Sequence, residues 1–246
     1  MPVYFIASSQ IQDETIHVVG TLLKHLNNAL RIKQGELLTF VDEQQRRYLT
    51  RVDRIDRRLM VVRIIDRLAP APPPSLQLNL AQGIIKGKKM DWIIQKATEL
   101  GVSQIIPLLT NRTVVRLDGV RAGRQQERWQ AIAHEAAQQS GRGTIPSVQA
   151  VCSFADFIQS AGHQLRLLLW EEETGQSLRN KLASQKEIKS VTLLIGPEGG
   201  FSQEEVTEAE DWGFQTVHLG KQILRTETAS LAVLSILQYL WGDLGL

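Results

Sequence analysis

Residues 193–206 read LLIGPEGGFSQEEV, three apolar residues running into Gly196-Pro197-Glu198-Gly199-Gly200. Glycines between a buried strand and a helix let a ligand approach the main chain closely. A phosphate-binding loop would need glycine spacing followed by Lys-Ser/Thr, and a dinucleotide fingerprint needs G-x-G-x-x-G; neither is present. Glu198 would repel phosphate, so a neutral or cationic ligand suits this corner better. The plain alternative is a tight strand-to-helix turn with Gly199 or Gly200 at positive φ. Two further stretches have the same character. Leu169-Trp170-Glu171 ends an apolar run, and Leu219-Gly220-Lys221-Gln222-Ile223-Leu224-Arg225-Thr226-Glu227-Thr228-Ala229 leads into an apolar helix. There Thr226 is a candidate N-cap, and Glu227 suits the dipole of the first turn.

These three stretches need a scaffold that brings strand ends together. Ala69-Pro70-Ala71-Pro72-Pro73-Pro74-Ser75 excludes helix and marks a boundary. Before it, residues 36–42, 47–55 and 59–65 read as short β-branched strands and 17–30 as one helix, together a small β-barrel. After it, strands at 76–82, 103–109, 164–170, 191–195 and 214–220 alternate with helices at 90–101, 121–141, 154–161, 202–213 and 227–244. Ser153 is a candidate N-cap, and Ser202 with Glu205 forms a capping-box pattern. The alternation predicts an α/β domain with a mainly parallel sheet covered on both faces. Ligands on such sheets bind outside the carboxyl ends of the strands, which is where the three stretches fall. The expected division is 1–70 barrel, 71–75 linker and 76–246 α/β domain.

Composition narrows the classes. A hydrophobic fraction of 43% and a charged fraction of 22% are those of a globular protein, and no apolar run approaches membrane-spanning length. The start, MPVYFIASSQ, lacks the basic segment and long apolar stretch of a signal peptide. Cys152 is the only cysteine, which excludes an intramolecular disulfide and fits a cytoplasmic location. Net charge is +2, but unevenly distributed: +3 over residues 1–80, +5 over 81–146 and −6 over 147–246. Basic N-terminal and middle portions can present one face to a polyanion.

LLIGPEGGFSQEE (193–205) followed by LGKQILRTETA (219–229) resembles the signature of the SPOUT class of RNA methyltransferases, and within it the RsmE type, which methylates uracil N3 in 16S, small-subunit ribosomal RNA. KGKKMDWIIQKATELGV (86–102), QQSGR (138–142) and HLNNALRIKQGE (25–36) extend the resemblance along nearly the whole chain. It implies a PUA-like N-terminal barrel, a trefoil-knotted C-terminal domain, a homodimer and S-adenosylmethionine (SAM) as cofactor. Two departures stand out. Lys221-Gln222 follow Gly220 where many members have proline, and Ser140 stands where some have cysteine.

The resemblance assigns a SAM cleft to Leu169, Trp170, Glu171, Ile195, Gly196, Pro197, Glu198, Gly199, Gly200, Leu219, Gly220, Ile223, Leu224, Arg225, Thr226 and Thr228. Main-chain groups near Gly196, Leu219 and Leu224 would bond adenine. Glu198 either offsets the cofactor's charge or caps local amides. Loss of the uracil N3 proton spreads negative charge onto the flanking carbonyl oxygens, which a fixed cation would stabilise. Arg142 is the first candidate and Arg225 the second; Glu227 or solvent would take the proton. RNA phosphates would meet His25, Arg31, Lys33, Lys86, Lys88 and Lys89, with Arg46, Arg47, Arg51 and Arg54 nearby. A SPOUT enzyme acting on another RNA nucleotide and a catalytically silent RNA-binding assembly factor stay open as alternatives. Trp92, Trp129, Trp212 and Trp241 read as core residues, and Cys152 as a small buried hydrophobe. No metal-ligand spacing is present, so no metal is expected.

Overall fold

A computed structural model of the chain describes residues 2–115, 117 and 119–245. It divides into two compact units, residues 1–73 with 137–144, and residues 74–136 with 145–246.

In the first unit, β1 (Val3–Ile6), β2 (Ile11–Gln12), β3 (Thr15–Val18), β4 (Leu37–Asp42), β5 (Arg47–Ile55) and β6 (Met60–Leu68) form one sheet in the order β1-β4-β5-β6-β3-β2. Only β1 and β4 run parallel. The sheet closes around Ile16, Leu26, Phe40, Tyr48 and Met60, all buried. Helix α1 (Gly20–Lys24) continues as a π turn over His25–Ala29. The expected helix over 17–30 therefore starts later. Residues 15–18 are β-branched apart from His17 and bury every second side chain, Ile16 and Val18, which is strand patterning. Gly20, at φ +69, then turns the chain into the helix.

Asp42 locks the β4–β5 turn. Its Oδ1 accepts the amides of Gln44 (3.0 Å) and Arg46 (2.9 Å), and its Oδ2 accepts Arg46 Nε (2.7 Å) and Tyr48 Oη (3.0 Å). Burial alone would raise this carboxyl's pKa, but the hydrogen bonds from Arg46 and Tyr48 and the charge of Arg46 outweigh it and hold the pKa below the ordinary value.

The second unit is α/β. Its elements in order are β7 (Gln77–Gly83), α2 (Lys89–Glu99), β8 (Gln104–Leu109), α3 (Gly119–Ser140), β9 (Ser147–Val148), β10 (Cys152–Ser153), α4 (Phe154–Ser160), β11 (Leu165–Leu169), α5 (Leu178–Ala183), β12 (Ser190–Ile195), α6 (Gln203–Asp211), β13 (Gln215–Val217) and α7 (Thr226–Trp241). The last turn of α3 belongs to the first unit. Strand order is β10-β8-β7-β12-β11-β13, with β9 also on β8, and every pairing is parallel. One face packs Leu78, Leu80 and Leu193 against Ile93 of α2, Trp129 of α3 and Leu234 of α7. The other packs Ala81, Leu168 and Leu194 against Phe157 of α4 and Val206 of α6. Burial on both faces is why these strands read as continuous apolar runs. Helix α5 was not anticipated: only Leu178 and Leu182 of its short length are buried, too few to set a period.

Candidate active site

The glycine corner leaves β12 and is fixed from several sides. Gly200 adopts φ +68, the left-handed value a glycine accepts readily. A Cβ there would run into the Glu171 carboxylate, and one on Gly196 would lie 3.0 Å from the carbonyl carbon of Gly200. Ser202 then caps α6 through the expected box: its Oγ accepts from Glu205 N (3.3 Å), and Glu205 Oε2 accepts from Ser202 N (2.9 Å). Glu205 is buried, and its other oxygen takes the Asn111 amide at 2.7 Å. Glu198 is exposed and accepts the Lys86 amide at 3.1 Å, so it caps the chain leaving β7.

The end of β7 supports the corner from beneath, which the sequence reading missed. A Cβ on Gly83 would lie 2.5 Å from Pro197 Cδ, 2.6 Å from Pro197 N and 2.9 Å from the Gly196 carbonyl carbon. Beside it, Gln82 is fully buried. Its Nε2 lies 3.1 Å from Gly83 O, 3.2 Å from Gly196 O and 3.2 Å from Thr226 Oγ1. The available signal was a polar residue, Gln82, following Leu80 and Ala81 at the end of the strand LNLAQ.

Thr226 is the first residue of α7, not its N-cap. Arg225 occupies the cap, extended at φ −61 and ψ 149, without a side-chain capping bond. Thr226 Oγ1 instead donates to Gly196 O at 2.7 Å, tying the last loop to the glycine corner. The hydroxyl is used across the fold, which local capping rules do not anticipate.

A cavity of about 560 Å³ lies at these strand ends. All the expected cofactor residues line it except Gly199 and Thr228; Lys89, Val217, His218, Gln222, Glu227 and Ala229 join them. Gly199 is exposed, and its carbonyl accepts from Arg112 Nη1 (2.8 Å). The volume falls within the range of small-molecule sites, about 300–1,000 Å³. The walls are mostly apolar, with carboxylates of Glu171, Glu198 and Glu227 beside the ammonium of Lys89 and the guanidinium of Arg225.

Glu227 forms an ion pair with Lys89 at 3.0 Å. Burial alone would raise its pKa, but bonds from its own amide and from Lys89, with the charges of Lys89 and Arg225, hold it below the ordinary value. Glu227 is therefore a carboxylate at neutral pH. Its Oε2 is buried and makes no hydrogen bond among the described residues. An apolar cleft with main-chain edges and surplus negative charge fits a cationic small molecule bearing hydrogen-bond donors.

The other expected site residues are dispersed. His25, Arg31 and Lys33 are exposed in the first unit, and Arg31 sits at φ +54. Lys86 and Lys88 are exposed in the second. Lys89 differs from them in facing the cavity and Glu227. Arg46 and Arg54 are paired with Asp42 and Asp56. Arg142 follows α3 within the first unit and does not line the cavity; burial lowers its guanidinium pKa from the ordinary value. Trp129 is core, as expected, and Trp241 packs against the core half-buried, but Trp92 on α2 and Trp212 just after α6 are each 43% exposed. Cys152 is half-buried, not buried, and burial with the nearby Asp156 carboxylate raises its thiol pKa. Among the described residues, no helix is long and apolar enough to cross a membrane, and no three His, Cys, Asp or Glu side chains are grouped to hold a metal ion.

Comparison with known proteins converges on one family. Residues 72–238 match the model of the RNA methyltransferase domain. The ribosomal RNA small subunit methyltransferase E of Bacillus subtilis is 31% identical, over 96% of this chain and 95% of that protein. A Legionella pneumophila methyltransferase solved in complex with SAM superposes with a TM-score of 0.89 and 32% identity, over 98% of both chains. The Neisseria gonorrhoeae ribosomal RNA small subunit methyltransferase E, solved bound to SAM, gives 0.87 and 32% over 99% of both. These matches run through the barrel and the parallel-sheet unit alike, so the architecture is that of the SPOUT α/β-knot preceded by a PUA-like barrel. The chain belongs to the RNA methyltransferase family that includes the bacterial ribosomal RNA small subunit methyltransferases E.

Proposed function

We propose that this protein methylates N3 of a uridine in 16S ribosomal RNA of the small subunit, using SAM, as a homodimer in the cytoplasm. The observation that carries the reading is the single cavity in which the Leu169–Glu171, Gly196–Gly200 and Leu219–Thr226 segments meet. Its size and apolar walls suit a nucleoside, and its carboxylates suit a cationic ligand. When bound, SAM supplies an electrophilic methyl group on a sulfonium. The main chain at Gly196, Leu219 and Leu224 would hold the adenine, with Leu169, Ile195 and Ile223 as cover. Closeness and alignment of donor carbon and acceptor nitrogen then account for much of the rate.

The uracil N3 proton must leave as the N–C bond forms. Arg225, on the cavity wall, is assigned to the carbonyl oxygens that gain negative charge, a role suited to a group that stays cationic. Glu227 is ionised but held by Lys89 and its own amide, which makes it a weak base. It serves better to accept a hydrogen bond than to keep a proton, and solvent removes the N3 proton. His25, Arg31, Lys33, Lys86 and Lys88 are assigned to RNA phosphates. The exposed Ile236, Tyr239 and Leu240 on α7 support self-association.

The test has two parts. Calorimetry should show SAM binding at one site per chain. Mass mapping of 16S ribosomal RNA from a strain lacking the protein should show one uridine losing a base methyl group, restored by the purified enzyme. Absence of SAM binding would instead favour a silent RNA-binding factor. A methyl group lost from another nucleotide would reassign the substrate.

A further inference from the structure

Gln82 is a fully buried amide that does not line the cavity. A buried amide needs partners, and here the partners belong to three separate segments. Besides the contacts to Gly83, Gly196 and Thr226, its Nε2 is 3.5 Å from Ile195 O, and its Oε1 accepts from Ser230 Oγ at 2.6 Å. Because Thr226 Oγ1 donates to Gly196 O, its lone pairs are left to accept from Gln82. The Gly196 carbonyl thus receives donors from both β7 and α7. Ser230 closes the circuit from the next turn of α7, also reaching Thr226 O at 2.8 Å.

We propose that Gln82, through Thr226 and Ser230, is a positioning residue for the cofactor site: it sets the separation of the glycine corner from the Arg225–Glu227 turn. Gly196 and Thr226 both line the cavity and are joined at 2.7 Å, so the lock fixes the part of the wall where the glycine corner meets the start of α7. Gln82 touches neither ligand nor reacting atoms. An apolar side chain of similar volume would fill the space but take the amide from the Ser230 hydroxyl and the Gly196 carbonyl. The inference rests on the SAM reading above and adds how that site is held in shape.

The experiment compares wild type, Gln82→Met, Thr226→Val, Thr226→Ser and Ser230→Ala by SAM calorimetry, and by amide hydrogen exchange over residues 194–201 and 223–230 without ligand. Gln82→Met keeps the volume and deletes the bonds. It should weaken SAM binding about tenfold, the effect of losing one or two buried bonds, and speed exchange in both segments while leaving the β4–β5 hairpin unchanged. Thr226→Val should do the same, and Thr226→Ser should recover most of the loss. If Gln82→Met does not fold, Ser230→Ala, which lies off the cavity, carries the test with a smaller effect of the same sign. A folded Gln82→Met with wild-type SAM affinity and wild-type exchange overturns the proposal. Wild type that fails to bind SAM overturns the cofactor reading instead, and the exchange data still decide whether the lock exists.

Discussion

Gly83→Ala should injure the cofactor site although Gly83 does not line it. The added methyl carbon would lie 2.5 Å from Pro197 Cδ, 2.6 Å from Pro197 N and 2.9 Å from the Gly196 carbonyl carbon. Ordinary contact between such atoms is about 3.5–4.0 Å, so the corner must retreat by roughly 1 Å. The obstacle is main chain and a proline ring, which cannot rotate aside. Overpacking of this kind costs about 1–3 kcal/mol. Without ligand, the corner relieves the strain by moving away. Binding SAM requires it to return, so part of the same cost reappears as lost affinity, and 1.4 kcal/mol is a factor of about ten.

The assay is calorimetric SAM affinity beside thermal unfolding, with Gly123→Ala as control. Gly123 lies inside α3, and nothing comes within 4 Å of its added Cβ. That control should gain roughly 0.5–1 kcal/mol of stability from helix propensity and leave SAM affinity alone. Gly83→Ala should bind SAM up to about 5–150-fold more weakly, the range that 1–3 kcal/mol spans. If it binds SAM as tightly as wild type and unfolds at the same temperature, β7 does not buttress the corner, and the packing argument is wrong.

Four other outcomes are expected. Lys86→Ala with Lys88→Ala should weaken RNA binding more at low salt than at high salt and leave SAM affinity unchanged in calorimetry, because both lysines are exposed. Lys89→Met should instead raise SAM affinity, because it removes a cation from the cavity wall and frees the Glu227 carboxylate to face the sulfonium. Asp42→Ala should cost about 2–3 kcal/mol in denaturant titration by orphaning turn amides and Arg46. Since the folded pKa of Asp42 lies below its ordinary 3.8, its contribution is complete above that value and disappears as pH falls through the lower folded pKa, so the wild-type advantage over Asp42→Ala should shrink only in that acidic window. Ser202→Ala should lose about 1 kcal/mol in the same titration through the α6 cap.

The parallel-sheet unit was legible because its strands are apolar on both faces and its helices carry clear periods and caps. β12 and α6 fall within a residue or two of their expected bounds, and the Ser202–Glu205 box forms as read. The cofactor segments were legible because consecutive residues carry them. What stayed hidden depends on meetings across the sheet. Gln82 sits 113 positions before Ile195, and its role arises only when β7 pairs with β12 in the register Gln82↔Ile195. The local rule makes Thr226 a cap whose hydroxyl accepts from a backbone N–H of the next turn; the fold instead gives that hydroxyl an acceptor, the Gly196 carbonyl. His17 and Val18 were drawn into a helix by the apolar residues that follow, whereas pairing with β6 made them strand.

The charge pattern of the sequence takes a sharper meaning in the structure. The +5 of residues 81–146 and the −6 of residues 147–246 fall mainly in one unit, so they do not simply separate an RNA-binding domain from a catalytic one. Within that unit, Lys86 and Lys88 face solvent just after β7, while three carboxylates of the last third line the cavity. Lys89 sits between the two populations: it follows the exposed lysines in sequence, yet its ammonium is drawn to Glu227 at 3.0 Å. A polyanion and a sulfonium need opposite local potentials, and a single unit that handles both must keep them apart over a few residues. Reversing only Lys89, to Glu, therefore discriminates better than deleting it. Beside Glu227 it would raise that carboxylate's pKa while adding a second negative charge at the cavity wall. SAM affinity should then rise above that of Lys89→Met and fall back as pH drops and one of the paired carboxyls takes up a proton. A SAM affinity in Lys89→Glu that equals Lys89→Met at every pH would mean that the Lys89–Glu227 pair does not govern the potential in the cavity.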